Sequence, residues 1–128
     1  MSVWHGRSRR KPTGGKYKKF RKKRKYELGR FPVLTVLGER KAKHVRTRGG
    51  NFKLKLFSDM YANVVDPKTN KVTHTKILDV KTNPANQDFS RRGVITKGAI
   101  IVTELGEAVV TSRPGQDGII NAKLLPKK

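Results

Sequence analysis

The sequence of 128 residues (14.5 kDa) is long enough for one modest hydrophobic core but not for two. The absence of cysteine excludes disulfides and cysteine-bound zinc, and the lack of an apolar run of roughly 20 residues or an apolar signal segment predicts a soluble intracellular protein. A net charge of +22, from 31 Lys and Arg against 9 Asp and Glu, disfavours a compact state unless a polyanion neutralises it, so nucleic acid is the expected partner.

The charge is concentrated at the amino-terminal end. Residues 1–50 hold 18 Lys and Arg against 2 acids, a net charge of +16, whereas residues 51–128 hold 13 against 7, a net charge of +6. Between residues 1 and 30 hydrophobic residues are sparse, and Gly6, Pro12, Gly14 and Gly15 interrupt regular structure. We therefore expect a long basic extension over residues 1–30 that is largely irregular and disordered when alone.

A run of basic and aromatic residues extends from Lys16 to Tyr26. Each Lys or Arg that neutralises a phosphate releases a condensed counterion, and the rings of Tyr17, Phe20 and Tyr26 are suited to stacking on unpaired bases or to packing against a folded domain. The alternatives are a solvated charge run and a nuclear import signal, but such a signal needs only about 5 to 8 residues and no aromatics. The run contains no Gly or Pro, so it is also able to form a short helix once phosphates screen its charges.

Beyond Pro32 the pattern changes to short segments of period two, which is typical of half-buried strands. The first three are VLTVLG (33–38), KHVRTR (43–48) and FKLKLF (52–57), and in the last of these Phe52, Leu54 and Leu56 are predicted to face inward. Gly49 and Gly50 separate the second and third segments, which indicates a hairpin. That hairpin is either purely structural or also presents Arg46, Arg48, Lys53 and Lys55 on one outward basic face beside Asn51.

Two more hairpins and a last strand follow. YANVVD (61–66) and KVTHTKILDV (71–80) flank turn-forming residues, AIIVTE (99–104) and EAVVTS (107–112) flank Leu105 and Gly106, and IINAKL (119–124) follows RPGQDG. With no long amphipathic helix between them, these segments predict an all-β fold, a small antiparallel β-barrel of about six strands, with a long basic, largely irregular N-terminal extension. The predicted domains are residues 1–30 and 31–128.

No catalytic or metal site is predicted. The glycines of PTGGK (12–16) lack the spacing of a nucleotide-binding phosphate loop, and Gly14 and Gly15 are better explained as a flexible joint whose amides approach an RNA phosphate. His5, His44 and His74 do not have metal-ligand spacing, and the acids are scattered singly. We expect no enzyme activity, no cofactor and no metal.

Several short blocks resemble a known family. They are WH (4–5), TGGK (13–16), KKRKYELGR (22–30), RGGN (48–51) and SRPGQ (112–116) with Gly118, and they span nearly the whole chain in the family's order. On these blocks the chain resembles the archaeal and eukaryotic small-subunit ribosomal protein family number eight, of the e-type. Eukaryotic members carry a long insertion before SRPGQ, whereas the hairpin at Leu105 and Gly106 closes directly here, so the short form resembles the archaeal branch.

The resemblance implies a structural constituent of the small ribosomal subunit, located in the cytoplasm, with small-subunit (16S-type) rRNA and other small-subunit proteins as partners. We expect no membrane partner, no small-molecule substrate and no homo-oligomer. The extension is then expected to thread between RNA helices. The alternative is an exchangeable RNA-binding translation factor or RNA chaperone of barrel fold. The predicted RNA-binding residues are Trp4, His5, Arg7, Arg9, Arg10, Lys11, Thr13, Gly14, Gly15, Lys16, Tyr17, Lys18, Lys19, Phe20, Arg21, Lys22, Lys23, Arg24, Lys25, Tyr26, Arg30, Lys41, Lys43, Arg46, Arg48, Asn51, Lys53, Lys55 and Arg113.

Overall fold

A computed structural model describes residues 3–126, so residues 1 and 2 of the predicted extension and the last two of the predicted barrel domain lie outside the described range. The chain divides into two compact units, an amino-terminal unit (Met1–Pro32) and a barrel unit (Val33–Lys128). Among the described residues, no helix combines the length and the apolar character that crossing a membrane requires.

The amino-terminal unit contains little regular structure. Strand β1 (Val3–Trp4) pairs antiparallel with β2 (Leu28–Gly29), which follows a 3-10 turn at Lys25–Glu27. Gly29 leaves room for the His5 ring at this pairing, since a Cβ there would lie 1.8 Å from that ring and would displace it. That 3-10 turn is the one helical segment between residues 16 and 26, so the helix that the sequence allows there is not formed in the unbound protein.

Five strands of the barrel unit form a closed barrel. They are β6 (Tyr61–Val65), β7 (Val72–Thr82), β9 (Ile100–Thr103), β10 (Gly106–Val110) and β11 (Asn121–Leu124), in the order β10-β11-β6-β7-β9. The predicted hairpins are β6–β7 and β9–β10, with Val65 opposite Val72 and Gly106 opposite Thr103. The all-β barrel is confirmed, but β11 and β6 run parallel. An odd number of strands cannot alternate in direction around a closed ring, so one parallel pair is unavoidable.

The remaining strands of this unit form a second sheet. Its order is β4-β5-β3-β8, with β3 at Thr35–Leu37, β4 at Lys41–Arg46, β5 at Phe52–Asp59 and β8 at Val94–Ile95. The predicted hairpin at Arg48–Gly50 joins β4 to β5, where Gly49 (φ 74°) and Gly50 (φ 77°) adopt left-handed conformations. Two short helices, α1 (Gln87–Arg91) and α2 (Pro114–Asp117), complete the unit.

The core is built from aliphatic side chains. Its largest fully buried members include Leu56, Ile77, Ile95, Ile101 and Ile120. Along β7 buried Ile77 lies between exposed neighbours, as expected for a half-buried strand, whereas both residues of the short β8 are buried. The prediction that Phe52 faces inward is wrong, because its side chain is 68% exposed. Phe52 is the first residue of β5 and lies opposite Arg46. The next residue on the same face, Leu54, is the first to pack inward, where it contacts Gly118.

Candidate nucleic-acid interface

A cavity of about 880 Å³ lies within the amino-terminal unit. Three rings, those of Trp4, Tyr17 and Phe20, line it together with nine cationic side chains and one acid, Glu27. All of the lining rings and cations belong to the predicted RNA-binding set. The nine cations are those of Arg7, Arg9, Arg10, Lys16, Lys18, Lys19, Arg21, Lys22 and Lys23.

Cations lie over each of the three rings. The guanidinium of Arg7 is 4.3 Å from the ring centroid of Tyr17, that of Arg9 is 5.3 Å from Trp4, and that of Arg21 is 5.1 Å from Phe20. The ammonium groups of Lys11 and Lys23 approach the rings of Tyr17 and Trp4 at 5.8 and 6.0 Å. Five such contacts fall within one unit of some thirty residues, whereas proteins show about one per 70–80 residues. The unit therefore concentrates cations and rings in one place.

Glu27 does not leave a free negative charge in the cavity. Its carboxylate accepts two hydrogen bonds from the Arg21 guanidinium, at 2.6 and 2.9 Å, and one from the Arg24 backbone N–H at 2.9 Å. The Arg21 hydrogen bonds first, and the Arg24 N–H second, lower the pKa of Glu27 below its usual value. The same contact raises the pKa of Arg21. Glu27 thus holds the end of the basic run against β2 without opposing a bound anion.

Acidification is expected to open the Arg21–Glu27 contact. Because the pKa of Glu27 is lowered from about 4.5, its ionisation stabilises the unit fully above that value, and this stabilisation is lost as the pH falls through the lowered pKa. Trp4 is the only tryptophan and lines the same cavity, so its emission should change as the pH falls below about 4.5. Glu27→Gln, which removes this carboxylate, should lack the change below about pH 4.5, and two identical profiles in that range would contradict this assignment.

A tight loop presents the TGGK block. The Gly14 N–H donates to the Lys11 carbonyl at 2.9 Å, the Lys11 N–H donates to the Gly15 carbonyl at 2.7 Å, and Arg10 donates to the Gly14 carbonyl at 2.8 Å. Gly14 has a φ of 86°, and in the described part of the chain no atom beyond the adjoining residues lies within 4 Å of the position that a Cβ would take there. The loop is therefore a closed turn with an unobstructed backbone, and not merely a flexible joint.

In the barrel unit, most of the predicted residues lie on the β4–β5 hairpin or its turn. Lys43 is opposite Lys55 and Val45 is opposite Lys53, so the three lysines share one face of the ladder. Arg46 is opposite Phe52 and therefore lies on the other face. The prediction that Arg46 shares a face with Lys53 and Lys55 is wrong. In the observed register, Lys53 and Lys55 share their face with odd-numbered residues of β4, and Arg46 is even-numbered.

The last predicted residue of this unit, Arg113, lies near the hairpin through α2. Its backbone N–H donates to Asp117 at 2.8 Å, and Gln116 of α2 accepts a bond from Lys53 at 3.4 Å. Gly118 ends α2 with a φ of 77°, and a Cβ there would lie 2.5 Å from Leu54. The glycine thus lets the SRPGQ block pack closely on β5.

Four aromatic residues of the barrel unit contribute no fully buried ring to the core. Phe52, Phe57 and Tyr61 are more than 40% exposed, and Phe89 is half-buried. Tyr61 stacks on His74 at 5.0 Å between ring centroids, and His74 Nδ1 is 3.0 Å from Asn63 Oδ1. None of these residues was assigned to the interface, although the alternation along β6 already placed Tyr61 and Asn63 on one face.

The described residues bring no three His, Cys, Asp or Glu side chains together in a way that could hold a metal ion. His74 instead contributes to a polar network on the outer face of the barrel, since Asn63 also donates to Asn121 at 3.1 Å.

Comparison with known proteins agrees with the motif blocks. The family model described as Ribosomal protein S8e matches residues 4–125. The chain is 53% identical to the small ribosomal subunit protein eS8 of Hyperthermus butylicus, covering 100% of this chain and 96% of the relative. It is 52% identical to the protein of the same name from Nanoarchaeum equitans, covering 95% of this chain and 96% of that relative. The resemblance predicted from the sequence is confirmed, and the chain belongs to the ribosomal protein S8e family.

Proposed function

We propose that the protein is a structural, non-catalytic constituent of the small ribosomal subunit in the cytoplasm, where it binds 16S-type rRNA. The two archaeal relatives carry the name of a small-subunit ribosomal protein. The observation that carries the RNA-binding assignment is the charge of residues 1–30, where 13 Lys and Arg face one acid that Arg21 already neutralises. Other small-subunit proteins are its further partners, and one copy acts alone.

Binding rests chiefly on phosphate neutralisation. Each contact between a Lys or Arg and a phosphate releases a counterion, which makes the affinity depend steeply on salt. On the barrel unit, the lysine face of Lys43, Lys53 and Lys55 is placed to follow an RNA backbone. Recognition is by shape, because the deep major groove of A-form RNA excludes side chains. The residues of the extension then lie between RNA helices whose phosphates would otherwise repel one another.

A second function is favoured by one observation. An exchangeable RNA-binding factor needs rings exposed on its barrel, and Tyr61, with His74 stacked beside it, meets that requirement. Such a factor would bind and leave the subunit during translation, whereas a structural protein stays bound.

Sedimentation of a cell extract separates the two functions. In a sucrose gradient at high salt, the protein should co-migrate with small subunits, because RNA that encloses the extension retains it after salt has weakened its phosphate contacts. A free factor would move to the top of the gradient under the same conditions. Release at high salt together with retention at low salt would therefore favour the exchangeable factor.

A further inference from the structure

We propose that the cavity of the amino-terminal unit holds one unpaired nucleotide of the rRNA, with its base stacked among the Trp4, Tyr17 and Phe20 rings. This inference rests on the proposed function and deepens it. The extension would then act as a preformed receptor for a displaced base, in addition to supplying positive charge. The flanking phosphates would be bound by the cations that now cover the rings.

The Trp4 indole and the segment that carries Tyr17 are held by hydrogen bonds within the unit. The Trp4 Nε1–H donates to the Arg7 carbonyl at 2.7 Å, and the indole lies so close to Gly6 that a Cβ there would be 2.2 Å from it. The Tyr17 backbone N–H donates to the Arg9 carbonyl at 2.9 Å, which holds the two ring-bearing segments together. Phe20 is 86% exposed, so its ring offers area to a ligand.

The cations over the rings can be exchanged for a base. A contact between a cation and a ring at an exposed site is weak, whereas a nucleobase stacked on a ring is held more strongly. When a phosphate draws the guanidinium of Arg7 or Arg9 away from its ring, the guanidinium gains a charge-assisted hydrogen bond and the ring gains a base. Both partners of the original contact therefore improve their interactions.

The shape and charge of the cavity favour a nucleotide within a chain. A volume of about 880 Å³ is far larger than a phosphate needs. Nine cations line it, and its single acid is neutralised by Arg21, so one phosphate would leave most of the charge unbalanced. An acidic peptide would match the charge but would leave the three rings without a stacking partner. A base flanked by several phosphates matches both the positive charge and the three rings of the cavity.

The test uses the full chain and two RNA hairpins, one with a single bulged adenosine and one with an abasic site at that position. Trp4, the only tryptophan, reports stacking directly. We expect the bulged hairpin to quench Trp4 emission and to bind roughly tenfold more tightly than the abasic one, since base stacking on rings has about that effect. Equal affinities without quenching, at a steep salt dependence, would overturn the inference and leave the proposed function intact.

Matched variants locate the effect. Tyr17→Leu and Phe20→Leu keep apolar volume but remove ring stacking, so they should bring the two hairpin affinities together without flattening the salt dependence. Phe57→Leu, which changes an exposed ring of the barrel unit, should leave the preference unchanged. If poly-glutamate quenched Trp4 as fully as the bulged hairpin, the cavity would be a general polyanion site and the inference would be wrong. Failure to bind any small-subunit rRNA would reject the proposed function as well.

Discussion

Removal of residues 1–30 is expected to lower the affinity for small-subunit rRNA by at least about a thousandfold at moderate salt while leaving the barrel folded. The deletion removes 13 of the 31 Lys and Arg and only one acid. It removes no part of the core, since the buried hydrophobic residues run from Leu56 to Ala122.

The salt dependence of binding distinguishes this loss from general damage. Each phosphate contact contributes about 0.9 to the slope of log affinity against log salt, so the loss of even half of the 13 cations should reduce the slope by about 6. Circular dichroism of the truncated protein should retain its β signal and its cooperative unfolding. A truncated protein with the full slope would show that the extension does not contact phosphate.

Substitution of Ile101 by alanine is expected to destabilise the barrel by about 2–5 kcal/mol, because it removes buried methylenes and leaves a cavity. Ile101 is fully buried on β9, and its two cross-strand partners, Ala108 and Val80, are both smaller than isoleucine. A small domain has a total stability of only about 5–15 kcal/mol, which makes this a large fraction.

Denaturant unfolding followed by circular dichroism measures the change. The matched control is Leu78→Ala on the neighbouring strand β7, whose side chain is 54% exposed and should cost about 1 kcal/mol or less. Comparable losses in the two variants would show that Ile101 does not lie at the centre of a closed barrel.

The parts of the fold that the sequence predicted are those with local signals. Asp66 and Asn70 turn the β6–β7 hairpin, where the Asn70 N–H donates to the Asp66 carbonyl and Asn70 adopts a φ of 54° that asparagine tolerates. Short elements such as β8 and α1 were missed, because two to five residues within a polar connection carry too little periodicity. The parallel β6–β11 pair depends on the number of strands in the ring, which no single segment encodes.

The interface shows the same division between local and non-local information. Composition identified the basic extension and its rings, and the motif blocks identified the family. The face on which each residue lies was harder to predict. The face of Arg46 depends on the register between β4 and β5, and a one-residue shift in that register moves every side chain of a strand to the opposite face. The cavity depends on contacts between residues that are distant in sequence, such as Trp4 with Lys23 and Arg7 with Tyr17. The periodicity of the sequence therefore does not predict the cavity.

The parallel pair between β6 and β11 has a consequence for biosynthesis. Asn63 pairs with Asn121, so the ring cannot close until the chain has been translated through its final strand. Before that point β6 and β10 each have an open edge, and such edges are prone to pair with other chains. The cationic unit precedes the barrel and is already available to RNA while the barrel is incomplete. The ring can therefore close only after β11 has emerged from the translating ribosome, and its closure removes the open edges of β6 and β10.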